Sequence, residues 1–127
     1  MSDLKEWTWA FVKYKSMMQK GVVGLEDLGK EIVLVKNDSK RVYEIKEELS
    51  PSDKQGSTIV TYNTQKNVAS LLKDWKVYVT NSTTVFFVNT KESMHWAINA
   101  KYHSYAADTK KLGKGINSLF ESVPSQK

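Results

Sequence analysis

The sequence contains no cysteine, which excludes a disulfide scaffold, a thiolate metal site and a cysteine nucleophile. No apolar run exceeds four residues, which excludes a membrane-spanning helix. Arg41 is the only arginine. Planar, bidentate contact to guanine or phosphate is therefore scarce, and lysine must act as a point charge instead. The two histidines, His95 and His103, show no HExxH or other zinc-ligand spacing with Asp108. A Gly-x-Ser-x-Gly nucleophile elbow and a P-loop are also missing. The opening Met1-Ser2-Asp3-Leu4-Lys5-Glu6 carries charges of both signs where a secretory signal would be apolar. A cytoplasmic location is the expectation.

What is there suits one domain. A chain of 127 residues buries about two-thirds of its unfolded surface without needing a metal or disulfide. Residues 1–123 are expected to form a single α/β domain, with 124–127 as a frayed tail. Nineteen basic against fourteen acidic residues leave a net charge of +5. That balance mildly favours anionic partners, through the phosphate backbone rather than base sequence.

Asp3 and Glu6 read as a capping box for a first helix, with Gly21 beyond its end. Leu4, Trp7, Phe11, Tyr14 and Met18 recur at three- and four-residue steps and predict its buried face. Two strands, Glu31–Lys36 and Arg41–Lys46, flank the turn formers Asn37-Asp38-Ser39 and predict a hairpin. After a polar loop at 50–57, Thr58–Tyr62 predicts a strand that feeds a helix capped by Asn63 or Thr64. Val68, Leu71, Leu72 and Trp75 form that helix's apolar face.

Lys76–Thr80 and Thr83–Asn89, rich in β-branched and aromatic residues, predict a second hairpin about Asn81-Ser82. Val85 and Phe87 alternate with Phe86 and Val88, so this strand is apolar on both faces and should be covered on both. Met94–Ile98 is a further strand, and a last helix follows Asp108. The order is α-β-β-β-α-β-β-(β)-α, an α/β class with a mixed, α+β-like sheet. The step through the middle helix is long enough for a parallel crossover, and helices are expected on both faces.

Three sets of residues carry candidate chemistry. Near the last helix, Lys101, Tyr102, His103 and Tyr105 precede Lys110, Lys111 and Lys114. A helix start attracts anions, the lysines add charge, and flat rings can stack on bases. The competing reading is a solvated lysine face. On the first helix, Lys5, Trp9 and Lys13 stand at four-residue steps away from the apolar stripe. A tryptophan there suits a partner or a second copy of the chain, unless it packs on its own domain. Third, Glu44 and Lys46 share one strand face, with Asp38 upstream and Glu6 or Glu31 as a further carboxylate. An acid pair with a lysine is what a magnesium-dependent phosphodiesterase uses.

Helix, three strands, helix, strand is also similar to the element order of the restriction-endonuclease-like nucleases. That similarity would imply a divalent-metal-dependent nuclease. The expectation placed first is a small non-catalytic domain without a cofactor, binding nucleic acid or another polyanion through the lysines and aromatics near the last helix. A protein-interaction or oligomerisation module comes second, and the nuclease, with magnesium, third.

Overall fold

The first helix, α1 (Asp3–Met18), buries Leu4, Thr8 and Val12, one residue per turn along a single line. Leu4, Trp7, Phe11, Tyr14 and Met18 predicted a different centre, and Tyr14 and Met18 are in fact exposed. Thr8 sits at the middle of the buried face because its hydroxyl donates to the Leu4 carbonyl at 2.7 Å, which satisfies the polar atom inside the helix itself. The computed structural model of the chain describes residues 3–101 and 109–126, with side chains of the last helix from 112 onward.

Six strands follow one another across one sheet: β1 (Val22–Asp27), β2 (Glu31–Lys36), β3 (Lys40–Ile45), β4 (Thr58–Tyr62), β5 (Thr84–Asn89) and β6 (Met94–Asn99). The pairs β1–β2, β2–β3 and β5–β6 are antiparallel, whereas β3–β4 and β4–β5 are parallel. The sheet is therefore mixed, as expected. Strand β1 was not expected, because Gly21 and Gly24 interrupt its apolar pattern. It forms an edge with an irregularity between Val22 and Gly24, a place where glycine is tolerated. Gly29, at φ +89°, turns β1 into β2, and its N–H donates to Asp27 Oδ1 at 2.9 Å.

The chain crosses from β4 to β5 through α2 (Gln65–Lys73) and α3 (Trp75–Thr80). Thr64 caps α2 by accepting the Asn67 N–H at 3.1 Å. The segment expected as strand Lys76–Thr80 is the short helix α3, so no hairpin forms about Asn81-Ser82. Trp75, Tyr78 and Val79 lie at helical spacing and pack on the core together. That burial outweighs the β preference of valine and tyrosine. The crossover from β4 thus lands on β5, which pairs parallel to it.

Leu49 and Val68, Leu71 and Tyr78 of the α2–α3 segment share one core with Val85, Phe87, Trp96 and Ile98, as do Ile116 and Val123 at α4 (Thr109–Ser122). On the opposite face, Leu4 and Val12 of α1 meet Ile32, Leu34, Tyr43, Val60 and Val88. Strand β5 supplies both cores, as its two-sided pattern required. Among the described residues, α1 is the helix that covers this face. Val123, at the end of the expected domain, accepts from Asn63 Nδ2 at 3.0 Å. Residues 124–126 of the segment expected to fray are hydrogen-bonded too: Asn89 Nδ2 donates to the Pro124 carbonyl at 2.9 Å, and the Gln126 N–H to that of Asn63 at 2.9 Å.

Candidate functional site

The β2–β3 hairpin brings cations together because β2 ends on Lys36 and β3 begins on Lys40 and Arg41. The Lys36 N–H donates to the Ser39 carbonyl at 2.8 Å and closes the turn. The returning 46–57 loop lies alongside, and a cavity of about 300 Å³ remains between them. Lys36, Lys40, Arg41 and Lys54 line it with Ser39 and Ser57, and among the described residues no carboxylate does. Lys54 is held by Glu31 at 3.0 Å. Lys36, Lys40 and Arg41 enter no ion pair among the described residues.

Lys15 continues this rim onto α1. Its ammonium stands 4.9 Å from the Phe11 ring centre and 5.6 Å from that of Phe86, which offsets part of the cost of burying it. Burial lowers its pKa below the ordinary lysine value, and the charges of Arg41 and Lys36 lower it further. Like charges are thus held close together at one side of the sheet.

An aromatic panel adjoins Lys15. On α1, Trp7 stacks on Phe11 with ring centres 4.9 Å apart. From the strands, Phe86 and His95 stack at 5.6 Å. Phe11 meets both edge-on, at 5.3 and 5.2 Å. Strand β6 is the edge of the sheet, so His95 touches Trp7 and Phe11 of α1 and is still exposed on its outer side. Burial against this panel lowers the His95 pKa, and Lys15 lowers it further, so the ring favours its neutral form. A hollow of about 290 Å³ opens here, lined by Trp7, Ala10, Phe11, Tyr14, Ser93 and His95.

The expected site residues fall elsewhere. Tyr102, His103 and Tyr105 lie outside the described residues, as do the side chains of Lys110 and Lys111. Lys101 and Lys114 are exposed. Lys5, Trp9 and Lys13 do not form one solvent-facing stripe. Trp9 is half-buried against the α1-face core, and Lys5 pairs with Asp27 at 2.9 Å. The Gly29 N–H and then Lys5 hold the Asp27 carboxyl below its ordinary pKa. Only Lys13 points outward.

Glu44 and Lys46 do reach one cavity, of about 570 Å³, together with Lys5, Lys30, Glu31 and Glu47. Glu31 and Glu44 are cross-strand partners. Asp38, however, sits in the turn at the opposite end of the hairpin, beyond Lys40. Four residues of strand alone separate Lys40 from Glu44 by about 13 Å, so Asp38 cannot join Glu44 around one ion. The Lys46 ammonium is engaged by the Ser50 carbonyl at 3.0 Å, the Ser50 hydroxyl at 3.1 Å and the Pro51 carbonyl at 3.1 Å. Among the described residues no group of three His, Asp or Glu side chains is placed to hold a metal. Of the acid–lysine arrangement expected from the sequence, Glu31, Glu44 and Lys46 therefore come to one cavity and Asp38 does not.

Lys15, Lys36, Arg41, Phe86 and His95 were not singled out as one surface by sequence reasoning. Their only local signal was the two-faced pattern of β5, which says that Phe86 has a cover but not which residues supply it. No helix among the described residues is long and apolar enough to cross a membrane. Comparison with protein-family models, curated proteins and solved structures finds no match.

Proposed function

We propose that the chain is a non-catalytic binding domain for a polyanion, and that the polyanion is nucleic acid. The observation that carries this reading is the cation rim. Lys36, Lys40 and Arg41 line one cavity, and the charges of Arg41 and Lys36 add to burial in lowering the pKa of Lys15 beside them. None of the four is paired to a carboxylate among the described residues. Holding like charges together costs free energy, and a bound row of phosphates would relieve it. The adjoining rings are what distinguish a nucleic acid from a simple inorganic anion. Such binding needs no cofactor, and a cytoplasmic location belongs to the same proposal.

Titration of a labelled oligonucleotide at rising salt tests the reading. Lys36→Gln with Arg41→Gln removes two phosphate contacts. The log–log salt slope should then become shallower by about 1.4 on a single strand, at roughly 0.7 per phosphate. Replacing Lys110, Lys111 and Lys114 serves as the comparison, because the last helix is the other candidate surface. Absence of binding at low salt overturns the proposal. Loss of binding only in the last-helix variant moves the site there.

A second reading, self-association, rests on a different observation. Tyr14, Met17 and Met18 at the end of α1 and Val23 on edge strand β1 are 64%, 77%, 71% and 63% exposed. Sedimentation of the Met17→Lys, Met18→Lys variant beside the wild type tests it, and two monomers of equal mass at high concentration overturn it.

A further inference from the structure

We infer that the hollow between α1 and β6 accepts an unpaired nucleobase, so that the ligand of this domain is single-stranded. The inference rests on the polyanion reading for the phosphates and adds the element that recognises the base. Trp7, Ala10, Phe11 and Tyr14 follow at helical steps along one flank of α1 and form one wall. His95 and Ser93 form the other. Ala10 and Ser93 are the small members of this lining and leave the space the rings enclose. At about 290 Å³ the hollow lies just below the usual range for small-molecule sites. It suits one flat heterocycle and is too small for a paired duplex.

The chemistry around the hollow selects a base over an apolar side chain. Tyr14 is 64% exposed, so its ring and hydroxyl are free to close over an occupant. His95, exposed and biased to the neutral form, offers a ring face with one donor and one acceptor nitrogen. Ser93 adds a hydroxyl, displayed at a positive φ of 51°. Phe11 belongs both to the hollow and to the Lys15 contact, so a stacked base has a cation one ring away. An aliphatic partner would use none of these polar groups. In duplex nucleic acid the base faces are already stacked, which denies them to the rings.

The decisive comparison uses the whole protein with four probes: a single-stranded oligothymidylate, the duplex of that strand, an abasic strand of equal length, and adenosine monophosphate. Stacking of one base should make the oligothymidylate bind about tenfold or more tighter than the abasic strand. Tyr14→Ala with His95→Ala should bring oligothymidylate down to the abasic level and leave abasic binding unchanged. Both side chains are exposed, so the fold is expected to survive, and the abasic comparison needs no variant at all. Quenching of the protein's tryptophan fluorescence by adenosine monophosphate, lost both in the Trp7→Phe and in the His95→Ala variant, would support the hollow with a free nucleotide as its source. Equal affinity for the intact and abasic strands overturns the inference while leaving polyanion binding in place. Binding of neither strand overturns the proposed function itself.

Discussion

Replacing Asn63 by alanine tests how the fold holds its C-terminal segment. Asn63 is fully buried between β4 and α2. Its Oδ1 accepts the Trp96 Nε1–H at 2.8 Å. Its Nδ2 donates to the Val123 carbonyl at 3.0 Å, with longer contacts to those of Phe120 and Pro124 at 3.3 and 3.4 Å. Two short hydrogen bonds contribute about 1 kcal/mol each, and the indole N–H left unpaired in the core adds about 1–2 kcal/mol. Asn63→Ala should therefore cost about 3–4 kcal/mol, a large share of the roughly 5–15 kcal/mol by which domains are stable. With a urea slope near 2 kcal/mol per molar, the midpoint should fall by about 1.5–2 M. Trp96→Phe removes the orphaned donor, though it also trims the ring stacked on Phe87 at 4.3 Å. The double variant should thus be more stable than the sum of the singles by about 1–2 kcal/mol. A loss below about 1 kcal/mol at unchanged slope, or a cycle with no coupling, would refute the assignment of Asn63 as the anchor.

Tyr78→Phe removes a hydroxyl that is buried with no partner among the described residues and whose pKa burial raises; urea melts should show stability unchanged or raised by up to about 1 kcal/mol. His95 has a folded pKa below its unfolded value, so the unfolded chain binds the proton first. Its contribution is present above pH 6.5 and is lost as pH falls through that value towards the folded pKa. Thermal melts across this window should show a loss that His95→Gln abolishes. Lys46→Met frees the loop carbonyls of Ser50 and Pro51; it should cost about 1 kcal/mol and speed amide exchange across 47–51, read by mass spectrometry.

Where neighbours in sequence supply the physics, the residues announced the structure. Thr64 is a cap because its own hydroxyl reaches Asn67. Asn37-Asp38-Ser39 turns because short polar side chains satisfy nearby backbone. The two-sided apolar pattern of β5 required cover on both faces, and it has it. Where partners are distant, the residues were silent or misleading. The 75–80 segment reads as strand by composition, yet its helical spacing matters only once a core exists for Trp75, Tyr78 and Val79. A helical wheel places Trp9 away from the apolar stripe, but the sheet beneath α1 reaches it and half-buries it against the core.

The candidate surface is the clearest case. Composition by itself established a small, cysteine-free, lysine-rich chain with strands and helices enough for one mixed sheet. It could not bring Lys15 to Arg41 and Lys36, or Phe11 to Phe86 and His95, because those residues come from α1, the β2–β3 hairpin and the β5–β6 hairpin. Their approach depends on strand order and on the side of the sheet that α1 takes. Alternation along a strand says which residues share a face, whereas only the packed sheet decides which helix lies on that face and which charges it must then hold together.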